Sequence, residues 1–492
     1  LRKLDAVFWA SLTVLVALYT YFTVITFAPI NSYISDEVYY PASAYNILSY
    51  VFHVKPELVS PWTPANVTGY VNPEHPPLGK YIMGIFELAF GYQFVAFRAP
   101  SWILGDLILI FVSLTVRRLI CLEPWATVFG IAGGVVTALD PILWVMHGVA
   151  MLDIYVAFFS IVAFYFLISR RPKLASVLLG LAFSSKESSY FLLLPFLFYL
   201  TYIYSDRLRR LIWGVLAPIL VYVLLAIPIM VYFGGPVGWL RQSFLHEISW
   251  DLTSGHISPS ATSQISTPWD WFLNVHPFYM GTFGHLSLFA STSPPIMIAW
   301  VIVSVLALTL VRKLELSVIT LAGWIEWLSF VLVYFGGNNT LFSFYVADFE
   351  PFVDVTIVAG AFFISKRALD IISSRKARTS HEGKEGGDNG SRQGQQDEVH
   401  NLSTTQGPNP ALQDGGRQEG HEARDRPDHR ELVLCWSGEV LPGGGKTREV
   451  AHGLPLRAGR HVRLPGGAQG FRRRGPQGRG LRGDGTLLRP CG

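Results

Sequence analysis

The segment Leu78-Gly79-Lys80-Tyr81-Ile82-Met83-Gly84-Ile85-Phe86-Glu87-Leu88-Ala89-Phe90-Gly91 decides how this chain is arranged. It is apolar enough to suggest a membrane span, but it is short and carries Lys80 and Glu87. Charges at bilayer depth are costly, whereas a short amphipathic helix lies readily in the interface. We read it as an interfacial helix, and the sidedness of the chain depends on that choice. Arg2/Lys3, Arg117/Arg118, Arg170/Arg171/Lys173, Arg207/Arg209/Arg210, Arg312/Lys313 and Lys366/Arg367 all fall on the cytoplasmic side only if this segment does not cross.

Of the 492 residues, 50% are hydrophobic, 14% aromatic and only 15% charged, a balance suited to a lipid solvent. Apolar runs of roughly 16 to 25 residues recur from Ala6 to Lys366, and each can cross a hydrocarbon core of roughly 30 Å as a helix. The predicted spans are 6–30, 99–116, 124–143, 149–169, 174–185, 189–204, 211–233, 294–311, 315–335 and 352–366. The expected fold class is an all-α polytopic membrane protein of about ten spans, with outer-face loops at 31–98 and 234–294. The first run follows Arg2 and Lys3. It is too long for a signal sequence and lacks a small-residue cleavage site, so it reads as an anchored helix. A start at Leu1 suggests a fragment or an unusual start codon translated literally.

Cys121, Cys435 and Cys491 are far apart and match no metal or redox spacing. The net charge of +4 comes from residues flanking helices, and no folded basic motif for nucleic acid is present. From 377 to 492 the text turns rich in Gly, Arg, Gln, Asp and Pro and loses apolar periodicity. That composition predicts a disordered tail, or one translated from a shifted reading frame. The folded domain is expected to be 1–376. The sequons Asn66-Val67-Thr68 and Asn338-Asn339-Thr340 fall outside in this topology.

All the notable polar residues then lie on one face. Asp36 and Glu37 follow the first span, where a partly desolvated carboxylate can accept a proton from an incoming hydroxyl. His75-Pro76-Pro77-Leu78-Gly79-Lys80 follows, its two prolines holding His75 extended and setting Lys80 on the first turn of the interfacial helix. Arg98 and Lys186 each stand at the outer end of an apolar run, as interface anchors or as phosphate ligands. Asp153 lies just inside the outer end of a span, where an unpaired carboxylate is costly. Arg98 or Lys186 is its expected partner, and Glu187 reads as a local counter-charge for Lys186.

An Asp-Glu pair after the first span and then His-Pro-Pro-Leu-Gly-Lys resembles the protein O-mannosyltransferase family of polyprenyl-phosphate-dependent (GT-C) glycosyltransferases. Phe97-Arg98-Ala99-Pro100-Ser101 resembles its Arg-x-Pro-Ser helix start, Met151-Leu152-Asp153 its Leu-Asp motif, and Ser185-Lys186 its lysine at an outer helix end. In the long outer loop His256, Pro268-Trp269-Asp270-Trp271 and His276-Pro277-Phe278-Tyr279 resemble its Trp-x-Trp and Arg-Pro-x-Tyr region. The likeness runs over residues 5 to 360. The chain departs from the family at His147-Gly148, where an arginine is usual, at His276 for Arg, and in Phe342 to Asp348, which lacks the usual Arg and His.

The resemblance implies a GT-C helix bundle and transfer of a sugar, mannose in the family, from a dolichyl or polyprenyl phosphate to Ser or Thr of a protein, with inversion. Asp36 would be the base, Glu37 its assistant, and Arg98 with Lys186 the phosphate clamp. Asp153, His75 and Lys80 would organise the donor site. Trp250, Trp269, Trp271 and Tyr279 either form an interfacial belt or stack on the sugar. One base and one charge clamp suffice for a phosphate leaving group, so neither a metal cluster nor a cofactor is expected, the lipid-linked sugar being a substrate. A divalent cation and a dimer are left open. An archaeal or bacterial cell membrane, or the endoplasmic reticulum of a eukaryote, is the expected location. The alternatives are a GT-C enzyme acting on a glycolipid or polysaccharide, and a transporter or flippase of a lipid-linked sugar. Inverted repeats would favour the transporter, and none is visible.

Overall fold

A computed structural model describes residues 2–64, 69–253 and 264–396, with backbone alone for residues 250, 251 and 377–396. The sequon at 66–68, the Trp250 side chain, His256 and the tail beyond 396 therefore lie outside the described residues. The described chain is helical apart from one hairpin. In order it forms α1 (Arg2–Phe27), α2 (Tyr40–Asn46), α3 (Leu78–Phe90), α4 (Phe94–Ile120), α5 (Trp125–Leu139), α6 (Pro141–Gly148), α7 (Asp153–Ile168) and α8 (Pro172–Phe183). There follow α9 (Leu193–Ile203), α10 (Arg207–Leu211), α11 (Ala217–Tyr232), α12 (Pro236–Gln242) and α13 (Phe244–Thr253). The antiparallel strands β1 (Phe278–Phe283) and β2 (Leu286–Ala290) come next, then α14 (Pro294–Leu310), α15 (Leu314–Gly336) and α16 (Glu350–Gln396). The hairpin corrects the all-α expectation: alternating burial along Phe278–Phe283 gives it one face to pack and one left open.

Each predicted apolar stretch falls on helix, but not each is an uninterrupted span. Among the described residues three continuous helices are long and apolar enough to cross a bilayer unaided: Arg2–Phe27, Arg207–Tyr232 (α10 and α11, joined through the wider helical turn Ile212–Leu216) and Leu314–Gly336. The stretch 124–143 breaks at Asp140, where Pro141 opens α6 and the two helices meet at 67°. Their outer surfaces are those of a protein in lipid. On α11 Ile219, Leu220, Leu224 and Val231 are exposed, and on α14 Ile298, Ile302 and Val305. Such rows of large apolar side chains are stable only where hydrocarbon covers them, so this is an integral membrane protein.

Helix α3 has 13 residues, about 20 Å of rise, too short for a span of roughly 30 Å. Gly79 lets it pack tightly, because a Cβ there would meet Leu152 Cδ2 at 2.6 Å. The backbone N–H of Leu78 donates to the carbonyl of Ser184 at 2.8 Å, fastening the start of α3 to the end of α8. The basic clusters and the polar residues sit at opposite ends of the same helices. Helix α4 carries Arg98 in its first turns and Arg117/Arg118 in its last. Asp153 opens α7, Lys186 follows α8, and Arg170 and Arg171 lie in the turn between those two helices.

Candidate active site

Glu37 and Arg98, read from sequence as an assisting carboxylate and a phosphate ligand, are both completely buried. Arg98 Nε and Nη2 donate to the two Glu37 oxygens at 2.8 and 2.7 Å. Its remaining donors go to the carbonyls of Phe27, Ile30 and Ser32, which uses all five N–H groups. No donor is left for a phosphate. Glu37 in turn accepts the N–H groups of Ile34 and Ala150, each at 2.9 Å. The pair is a clamp that fixes the chain leaving α1 against α4 and the approach to α7. The two expected roles are corrected accordingly, and the clamp instead fixes the backbone next to Asp36 and, through Ala150, the approach to Asp153.

Lys186 follows α8 and is nearly buried. Its ammonium donates to Asp153 Oδ1 at 2.5 Å and to Asp348 Oδ2 at 3.3 Å, and it lies 4.1 Å from the centre of the Tyr345 ring. Asp153 is thus paired with Lys186 and not with Arg98. Its position at the start of α7 also suits a carboxylate, because the helix N-terminus is electropositive. Asp348 accepts a second bond from Ser188 Oγ at 2.7 Å. Burial pushes the Asp348 carboxyl up to about 8, Lys186 opposing and Asp153 adding to the shift, so it is largely protonated at neutral pH. Lys186 and Asp153 then face each other as an ion pair, with Asp348 as an uncharged third partner.

Asp36 stands in the turn Ser35–Val38, half-buried, beside this corner. Burial and then the charge of Asp153 raise its pKa to about 6, while His75 and Lys186 pull the other way. A carboxylate so tuned is ionised at neutral pH yet basic enough to take a proton. His75 Nδ1 lies 2.9 Å from Glu187 Oε2, which makes Glu187 the partner of His75 and not of Lys186. Burial works against a charged ring, but Glu187 and Glu247 outweigh it and lift the His75 pKa, Lys80 opposing. Lys80 is buried, and its ammonium is spent on Asn72 O and Oδ1 and on His75 O at 2.7 Å. Burial lowers its pKa to about 7. It organises the loop under His75 and presents no free charge.

Lys186, His75, Glu187, Ser188 and Tyr345 border a cavity of about 220 Å³, roofed by Phe244, Glu247 and Ile248 of α13. Tyr190 and Phe244 also border an apolar groove of about 400 Å³ that runs along Ile219, Tyr222, Val223 and Leu240. A cavity with charged groups at one edge thus adjoins a groove that is apolar throughout. Trp271, by contrast, is core: it is fully buried, 5.4 Å from the Phe330 ring, and its indole N–H donates to Ser266 Oγ at 2.8 Å. Trp269 packs on Tyr334, and Tyr279 stands on β1 against Phe289; neither lines the cavity. His147, standing where the family has arginine, bonds Thr23 and the Trp102 carbonyl inside the bundle.

Sequence reasoning missed Asp348 and Tyr345. Their segment, Ser343–Asp348, is tied to the hairpin by Ser343, whose Oγ accepts the Phe278 N–H at 2.9 Å. The available signal was an acidic residue shortly before the last apolar run, the same signal that singled out Asp153.

No protein-family model matches the chain. Over 105 residues, 21% of this chain, it is 30% identical to the polyprenol-phosphate-mannose--protein mannosyltransferase of Mycolicibacterium smegmatis. Over 105 residues it is 33% identical to the protein of the same name from Mycobacterium tuberculosis. The matched region spans about a fifth of the length of these relatives. Among solved structures, ArnT from Cupriavidus metallidurans bound to undecaprenyl phosphate superposes with a TM-score of 0.48 and 16% identity, covering 73% of this chain and 62% of that one. The S. cerevisiae protein O-mannosyltransferase Pmt1-Pmt2 complex bound to the sugar donor gives a TM-score of 0.30 and 18% identity, covering 53% of this chain and 36% of that one.

Proposed function

We propose that this protein is a membrane glycosyltransferase that moves a sugar, mannose in our reading, from a polyprenyl phosphate to a hydroxyl of a protein on the outer face. The observation that carries the proposal is the half-buried Asp36, with a pKa near 6, beside the cationic pair Lys186 and His75. The short match to polyprenol-phosphate-mannose--protein mannosyltransferases supports the choice of donor and acceptor. So does the adjoining apolar groove, which suits an isoprenoid chain while the charged edge of the cavity takes its headgroup.

In this mechanism the Asp36 carboxylate accepts the proton of the acceptor hydroxyl as its oxygen attacks the anomeric carbon. The bond from that carbon to the phosphate oxygen breaks, and the polyprenyl phosphate departs with the electron pair. Lys186 and the imidazolium of His75 stabilise its charge. Attack opposite the phosphate inverts the anomeric centre. Asp153 and Asp348 hold the lysine in place.

The test is to incubate membranes carrying the protein with radiolabelled polyprenyl-phosphate mannose. Label in protein, released as a Ser/Thr-linked sugar, is the expected result. Label in glycolipid alone would move the acceptor to the runner-up class, and no transfer would overturn the activity.

Two titrations set the expected pH profile. Below about 6 Asp36 gains a proton and ceases to be a base, so activity falls. At higher pH His75 loses its charge, at a value lifted above its ordinary 6.5, and activity falls again. Glu187→Gln is therefore expected to move the alkaline limb toward lower pH and to leave the acid limb in place. A kcat/KM profile measured over pH 5 to 9, with an unmoved alkaline limb, would remove His75 from the phosphate site.

A further inference from the structure

Asp140, Glu350 and Asp354 form a second polar cluster, buried within the bundle and unused by the proposed reaction. Asp140 caps the break between α5 and α6, where its Oδ1 accepts the N–H groups of Ile142 and Leu143 at 2.9 and 3.0 Å. Glu350 and Asp354 are one turn apart on α16, and Asp354 Oδ2 accepts the Thr137 hydroxyl at 2.8 Å. One oxygen from each of the three carboxylates lies within 4.8 Å of the others. Among the described residues no donor outside the cluster reaches Asp140 Oδ2, Asp354 Oδ1 or either Glu350 oxygen, all of them buried, and the Asp140 and Glu350 carboxyls meet each other.

Orphaned buried oxygens of this kind cost about 1–3 kcal/mol each, and more when charged. They are retained where something else satisfies them. The spacing fits one ion, because two oxygens on a cation with metal–oxygen distances of about 2.4 Å are at most about 4.8 Å apart. A set made only of carboxylates selects hard cations over zinc or copper.

We propose that Asp140, Glu350 and Asp354 bind one hard divalent cation of the calcium, magnesium or manganese class. The ion ties the broken α5/α6 helix to the start of α16. Two residues before Glu350 lies Asp348, which holds Lys186, so the cation steadies one wall of the candidate active site. The site itself stands apart from the proposed transfer reaction, since none of its three residues borders the cavity described above.

The test uses the purified full-length protein in detergent and reads metal content and thermal unfolding, neither of which needs a sugar donor. After stripping with chelator, calcium, magnesium and manganese are each added back, and retained metal is counted by elemental analysis. We expect about one equivalent of at least one of them, with a rise in Tm of several degrees as that cation saturates the site. Glu350→Gln and Asp354→Asn should abolish both effects. Without metal, either variant should be no less stable than stripped wild type, because each removes an uncompensated charge. A flat Tm and no retained metal in wild type would mean that the carboxyls keep protons and pair with one another, which overturns the site. Undiminished binding in both variants overturns it too, by sending the ion elsewhere.

Discussion

Asp36→Asn is expected to lower sugar transfer by about 10²–10⁴-fold, the usual contribution of a general base. Donor binding should stay close to wild type, because Lys186, His75 and the apolar groove are untouched. The acid limb near pH 6 should also disappear from whatever activity remains, since that limb reports Asp36. The measurements are single-turnover transfer with labelled donor and equilibrium donor binding in nanodiscs, wild type and variant side by side. Asp36→Glu keeps the base but moves it by a methylene, so it should retain more activity than the asparagine form. Wild-type turnover in Asp36→Asn would sink the mechanism and leave the fold untouched.

The second large effect is on stability. Arg98→Met leaves the Glu37 carboxylate charged, fully buried and short of two of its four hydrogen bonds. Removing one partner of a buried ion pair costs about 3–5 kcal/mol, a large part of a typical domain's stability. Thermal unfolding in detergent should show a Tm well below wild type. Arg98→Lys should not rescue it, because a lysine cannot supply the fork that meets both Glu37 oxygens and three carbonyls. In the double variant Arg98→Met/Glu37→Leu the stranded charge is gone, and part of the loss should be recovered. A stable Arg98→Met protein with only a raised KM for donor would return this arginine to the phosphate site.

These two residues mark where sequence reading stopped. Asp36 and Glu37 are neighbours, and Arg98 and Lys186 both end apolar stretches, so pattern alone gave the members of each pair similar roles. In the fold Asp36 is half-buried within electrostatic reach of Asp153, His75 and Lys186, while Glu37 is sealed inside the clamp. A turn starting at Ser35, with φ of 52°, is enough to send adjacent side chains into different surroundings. The same holds for Glu187, whose chain neighbour is Lys186 but whose spatial neighbour is His75.

By itself the sequence determined the helical segments, the shortness of α3 and the end of the bundle that carries the polar residues. Those properties follow from hydropathy, length and the distribution of lysine and arginine, which are local and can be read along one strand of text. Tertiary structure alone decided which charges are neutralised in the interior and which stay available to a substrate. It also brought Asp140, Glu350 and Asp354 together across more than two hundred residues of chain. The physical reason is that the fate of a buried charge is set by the partners within a few ångströms of it, and these come from helices remote in sequence.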